Sequence, residues 1–146
     1  MQVRAAVRAD LPGVLALMRA LNPDDPPLDT NVAVQRWDAL LAQPGVTVFV
    51  AQVGEVLAAS CTLIVVPNLT RSGRPYALLE NVVTLSPYRR QGLARAVLAA
   101  ASAAAWRAGC YKIMLSTSSP MPGVLDFYRS CGFRDGVKTA FVATPA

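Results

Sequence analysis

The sequence predicts an α/β fold, a mixed sheet flanked by helices, and three observations predict it. Runs rich in β-branched residues alternate with stretches whose apolar residues recur at helical spacing. Tyr76 to Thr117 reads strand, helix, strand, a βαβ unit whose strands should be parallel and whose crossover should be right-handed. The chain's 146 residues suffice for one hydrophobic core and are too few for two ordinary domains, so a single domain over residues 1–146 is expected.

The elements follow in order. "VRAAV" near the start alternates like a short strand, and Asp10 is a candidate N-cap for a helix with an apolar stripe of Val14, Leu15, Leu17, Met18 and Leu21. "NPDDPP" stops that helix. Thr30 or Asn31 is placed to cap a second helix, carrying Val34, Trp37, Leu40 and Leu41, which "QPG" at Gln43 to Gly45 ends. "VTVFVAQV", a turn at Gly54 and Glu55, and "VLAASCTLIVV" form a hairpin. "PNLTRSGRP" is a loop, and "YALLENVVTL", apolar on both faces, is a central strand. A helix then runs to about Ala108 with Gly109 as its C′ residue. "YKIMLSTS" is a strand, "PGVLDFYRSC" a short helix and "GVKTAFVAT" a last strand.

Composition narrows the function classes. There is no apolar signal core at the N-terminus, and the most apolar helical run, Ala96 to Trp106, is short and flanked by Arg95 and Arg107, so no membrane partner is expected. Cys61, Cys110 and Cys131 are odd in number and widely separated, and the chain has no histidine. Neither a disulfide framework nor a Cys/His zinc site is indicated, no metal is expected, and a reducing cytoplasm fits. Packing accounts for all three cysteines better than nucleophilic chemistry does. The net charge of +5 arises from scattered arginines and suits an anionic partner such as a phosphate-bearing small molecule. Nucleic acid is not expected, because no basic run or aromatic platform accompanies the charge.

The most informative stretch is "SPYRRQGLARAVLAA", Ser86 to Ala100, a polar junction between an apolar strand and an Ala-rich helix. In α/β sheets ligands sit at the carboxyl ends of parallel strands, beside the next helix's N-terminus, whose unpaired N–H groups favour a phosphate. Gly92 and Ala94 keep that approach clear, and Arg89, Arg90 and Arg95 add charge-assisted donors. The nucleotide signatures G-x-x-x-x-G-K-S/T and G-x-G-x-x-G are absent. The motif that is present, R-x-x-G-x-A from Arg89 to Ala94, resembles the pyrophosphate loop of the GNAT N-acetyltransferase family. "DFYRSCGF" at Asp126 to Phe133 resembles that family's F-Y-x-x-x-G-F near the C-terminus, and the upstream order of elements is similar too.

The resemblance implies a three-layer α/β/α fold with a mixed, mostly antiparallel sheet splayed between two parallel central strands. It implies acetyl-CoA as cofactor, its diphosphate against the amides of Gln91, Gly92, Leu93 and Ala94. Its pantetheine arm would lie along the backbone of Val82 and Thr84, with an N–H near Val82 or Val83 as oxyanion donor. Many members carry an asparagine upstream of the F-Y pair; here Met121 stands there, and Ser118 or Ser119 is placed to replace it. Tyr128, a phenol protonated at neutral pH, would be the general acid toward the leaving thiolate. Glu80 is the better base of two glutamates, since alternation puts it on the face of Leu78 and Val82, where burial would strengthen it as a base. Arg71, Arg74 and Tyr76, around the loop before that strand, would border the acceptor pocket. The implied function is a cytoplasmic N-acetyltransferase acting on a small-molecule or peptide amine, with a homodimer as a common assembly of the family. The alternative is a non-catalytic acyl-CoA-binding sensor.

Overall fold

The computed structural model describes residues 1–146, which divide into two compact units, Met1–Leu115 and Ser116–Ala146. In chain order the first unit contains β1 (Gln2–Ala5), α1 (Leu11–Leu21), α2 (Thr30–Ala42), β2 (Val46–Val53), β3 (Val56–Val66) and a short helical turn α3 (Thr70–Gly73). These are followed by β4 (Tyr76–Thr84), α4 (Leu93–Arg107) and β5 (Ile113–Met114). The sheet runs β1-β2-β3-β4-β5, antiparallel except for the parallel β4/β5 pair.

Strand alternation sorts the helices onto two faces. Val48 and Val50 of β2, with Val83 of β4, form one core with Val14 and Leu17 of α1 and Trp37 of α2. The opposite parity, which includes Cys61, faces α4, and the Cys61 thiol lies 3.5 Å from the carbonyl of Val97. Leu57 joins the α1 and α2 core although odd-numbered, because a register shift beside Ala51 and Gln52 moves it across the sheet. Helix α4 buries Leu93, Val97, Leu98, Ala101 and Ala105. Its small residues let the helix lie close to the sheet.

Capping differs from the expectation at two places. Asp10 makes no side-chain cap to α1; its carboxylate accepts from the Val7 N–H at 2.7 Å and pairs with Arg4 at 2.6 and 2.9 Å. The charge of Arg4, itself also bonded to Gln52, outcompetes the local cap. Helix α2 is capped by Asp29, whose carboxylate accepts from the N–H groups of Asn31 and Val32, so the cap falls one residue earlier than Thr30.

The second unit contains α5 (Val124–Ser130) and no strand. The strand expected over "GVKTAFVAT" is therefore not formed, and β5 ends the sheet as an edge. Alternation in a sequence specifies which face a strand would bury, whereas forming it requires an edge to pair with.

The Arg4 pair holds the Asp10 carboxyl below its ordinary range. A carboxyl lowered on folding contributes stability that is fully present above its unfolded pKa and is lost as pH falls through the lowered value. Asp10→Asn is expected to cost about 1–2 kcal/mol at neutral pH. Thermal melts of the two proteins should converge as pH falls below about 4.

Candidate active site

Strand β4 is bonded along one edge by β3 and, along the other, by β5 only at Ala77 and Leu78. Beyond Leu78 the two parallel strands no longer pair, as a splayed sheet requires. On the β3 side the register jumps from Thr62 opposite Glu80 to Ser60 opposite Val83. Three β4 residues thus span two of β3, and Asn81 takes a left-handed φ of 53°. This bulge corrects the expected alternation: Glu80 shares its face with Val83 rather than Val82. Glu80 is also exposed rather than buried. Ser60 and Thr84 flank the bulge, and the hydroxyl of each is buried without a protein partner.

The chain leaves β4 through a short 3-10 turn, Ser86–Tyr88, and enters α4 at Gly92. Arg90 and Gly92 are both left-handed, with φ of 60° and 81°. Gly92 is the N-cap and supplies no side-chain acceptor, so the first turn of α4 has no side-chain cap. A Cβ built on Gly92 would meet nothing within 4 Å, so the glycine serves its left-handed backbone. Arg89 Nε donates to the Thr84 carbonyl at 3.3 Å, which ties the loop to the end of β4, and Gln91 donates to the Pro87 carbonyl. Leu93 is buried, Val82, Thr84 and Ala94 are half-buried, and Arg89, Arg90, Gln91, Gly92 and Arg95 are exposed.

These features suit acetyl-CoA. The uncapped α4 turn with Arg89 and Arg90 fits a diphosphate, and the β4 edge past Leu78 fits a polar chain that pairs like a strand. No histidine, cysteine or carboxylate cluster of metal-ligand size is present.

Arg71, Arg74 and Tyr76 lie at the other end of β4. Arg71 stacks over Tyr111, and Lys112 lies over both Tyr76 and Tyr111 at 5.4 and 5.2 Å. The Tyr111 hydroxyl is held below its ordinary range, chiefly by its hydrogen bond with Lys112. Arg74 donates to the carbonyls of Gly109 and Cys110. The three expected acceptor residues therefore gather with Tyr111 and Lys112, which the sequence reading missed, and not with the Arg89 loop. The signal for Tyr111 and Lys112 was their place just before β5, the strand that pairs with Ala77 and Leu78.

In the second unit, Tyr128 packs against Phe127 and meets Phe133 edge to face, centroids 5.2 and 6.2 Å away. The F-Y-x-x-x-G-F pattern is a helix ending. The Phe133 N–H donates to the Tyr128 carbonyl, the Gly132 N–H donates to the Arg129 carbonyl, and Gly132 is left-handed at φ 92°. Arg129 bridges Asp126 and Asp135, whose carboxyl it holds down at about 2. Ser118 and Ser119 are exposed, and Ser119 Oγ accepts from the Met121 N–H. Burial pushes the Cys61 thiol up to about 12 and also raises that of Cys110, which leaves neither suited to nucleophilic work.

A family model described as "Acetyltransferase (GNAT) family" matches residues 14–133. The chain belongs to this family and is an N-acetyltransferase; the family uses acetyl-CoA. It is 31% identical over 138 residues to a glucosamine 6-phosphate N-acetyltransferase of Trypanosoma brucei brucei, covering 92% of this chain and 89% of that protein. A solved putative acetyltransferase from Agrobacterium tumefaciens is 48% identical with a TM-score of 0.94, covering 99% of this chain and 100% of that one. An aminoglycoside N-acetyltransferase solved with CoA shares the fold at 18% identity, with a TM-score of 0.82 over 99% of this chain and 95% of that one. No helix is long and apolar enough to cross a membrane.

Gly132→Ala places a Cβ on a left-handed C′ residue and is expected to weaken the end of α5 by about 1 kcal/mol. Amide exchange of Phe133 should then quicken about five-fold, while amides of α1 and α4 exchange at their original rates.

Proposed function

We propose that the chain transfers the acetyl group of acetyl-CoA to the primary amine of a small molecule, with its two units working as one catalytic domain. The observation that carries this reading is the β4-to-α4 junction, where an uncapped helix start and two arginines follow a strand edge left open past Leu78. Bound acetyl-CoA supplies the thioester. In the balanced reaction an N–C bond forms, the C–S bond breaks, the amine gives up one proton and the thiolate gains one.

Arg89 and Arg90 hold the diphosphate charge, and the backbone N–H groups of Gln91, Gly92, Leu93 and Ala94 complete its shell. Arg95 adds charge on the same turn, and Ser118 or Ser119 stands in for the absent asparagine. Backbone groups of Val82 and Thr84 align the pantetheine arm, and an N–H at Val82 or Val83, re-aimed by the Asn81 bulge, faces the carbonyl oxygen. Tyr128 delivers its phenol proton to the thiolate. Glu80 is exposed, so it takes the amine proton directly or through water. Arg71, Arg74 and Tyr76 would meet an anionic group of a larger acceptor. The T. brucei brucei relative makes an amino-sugar phosphate the first acceptor to test.

Saturating acetyl-CoA is expected to raise the melting temperature; an unmoved melt would end the cofactor reading. Arg89→Ala should weaken acetyl-CoA binding about tenfold by calorimetry. In a coenzyme A release assay over glucosamine 6-phosphate, polyamines, aminoglycosides and peptide amines, Tyr128→Phe should lower kcat about a hundredfold at unchanged acetyl-CoA affinity. Release from no amine despite tight acetyl-CoA binding would instead establish a sensor.

A further inference from the structure

Backbone direction along β4 changes partway, and the change decides which groups its open edge offers. The Ala77 N–H donates to the Lys112 carbonyl at 3.0 Å, so Ala77 directs its backbone groups toward β5. The Leu85 N–H donates to the Ala58 carbonyl at 2.9 Å, so Leu85, also odd-numbered, directs its groups toward β3. With unbroken alternation both would point the same way. The extra residue at the Asn81 bulge reverses the parity. Beyond it, Val82 and Thr84 direct their N–H and C=O groups to the edge that β5 leaves unpaired.

One of these groups is already engaged. Arg89 Nε donates to the Thr84 carbonyl at 3.3 Å, so the arginine side chain lies across the last rung of the open edge. The Thr84 hydroxyl is buried and has no protein partner. A chain that pairs with this edge as a strand does needs the Thr84 carbonyl as an acceptor and meets Arg89 there first. Arg89 is in no ion pair, and its main-chain N–H is held by the Ser86 carbonyl, so the side chain alone has to turn for the Thr84 carbonyl to be freed. An anion is what would turn it. A phosphate offers the guanidinium opposite charge as well as acceptors, which a neutral carbonyl cannot match, and the uncapped start of α4 holds a place for that anion on the same loop.

We propose that Arg89 makes the donor site selective for thioesters that carry a diphosphate. Without a diphosphate it occupies the Thr84 carbonyl and closes the end of the edge; a diphosphate draws it off and admits the acyl-bearing arm. The proposal rests on the acetyl-CoA reading above and gives Arg89 a role beyond its charge. A thioester on the same arm without a diphosphate has to break the Arg89 bond unaided, so diphosphate and arm bind cooperatively.

Nuclear magnetic resonance titrations of the full chain with the two halves of acetyl-CoA test this. S-acetylpantetheine lacks the diphosphate, and 3′-phosphoadenosine 5′-diphosphate lacks the arm. In the unmodified protein each half should tighten the binding of the other about threefold, the worth of one exposed hydrogen bond. In Arg89→Ala the nucleotide half should bind about tenfold more weakly, whereas S-acetylpantetheine should bind about threefold more tightly than to the unmodified protein, with no coupling left. Arg90→Ala removes the same charge and leaves the Thr84 carbonyl engaged, so it should weaken the nucleotide half and keep the coupling. Independent binding of the two halves to the unmodified protein, equal or weaker S-acetylpantetheine binding by Arg89→Ala, or loss of coupling in Arg90→Ala overturns the proposal and leaves the acetyl-CoA site standing. If acetyl-CoA itself does not bind, that reading falls and this proposal with it.

Discussion

Strand β4 is paired on both edges only as far as Leu78, and much of the molecule's chemistry depends on that limit. A buried strand normally spends its N–H and C=O groups on two neighbours, and one that loses a neighbour partway must find other partners. Here its pairing with β3 continues to Thr84 on one side while β5 stops after Met114 on the other. The bulge at Asn81 adds to the effect on the β3 side by putting an extra residue where the ladder would have continued. Two buried hydroxyls without protein partners, on Ser60 and Thr84, flank the same place. Leaving such a group unpaired costs about 1–3 kcal/mol.

The junction after β4 turns this open edge into a directed one. Arg89 is tied to the Thr84 carbonyl, so the loop cannot swing free of the strand. The buried face of α4, from Leu93 through Ala105, fixes where the helix begins. Leu93 is buried one residue after the exposed Gly92, so packing anchors the start of the helix while its cap stays open. A side-chain acceptor at Gly92 would occupy the very N–H groups that an anion needs. The absence of a cap costs the isolated helix about 1 kcal/mol, and that cost keeps the donors available.

The features legible in the sequence were those set by local pattern. The hydrophobic stripes of α1 and α2, the β2–β3 hairpin and Gly109 beyond α4 follow from spacing and turn chemistry, and the Arg89 loop follows from its motif. Features decided by partners distant in sequence were not legible. Asp10 offers a local cap but is claimed by Arg4, and "GVKTAFVAT" has a strand's composition but forms no strand. The bulge lies between these cases. Two adjacent polar residues, Glu80 and Asn81, interrupt an apolar strand, and asparagine tolerates a left-handed φ well; that was a signal, though alternation alone reads straight through it.

The distribution of charge follows the same division. Asp10, Asp38, Asp126 and Asp135 are engaged by Arg4, Arg8 and Arg129, which neutralises arginines away from the junction. Between Glu80 and Asp126 the sequence contains no carboxylate at all, although Arg89, Arg90, Arg95, Arg107 and Lys112 fall within that interval. The net +5 is thus concentrated on the half of the chain that follows the open β4 edge. Arg89 and Arg90, both exposed, present their charge to solvent ahead of the helix dipole of α4. An anionic ligand approaching this region meets a field that draws it toward the junction before any contact forms, which raises its encounter rate and makes that rate sensitive to salt.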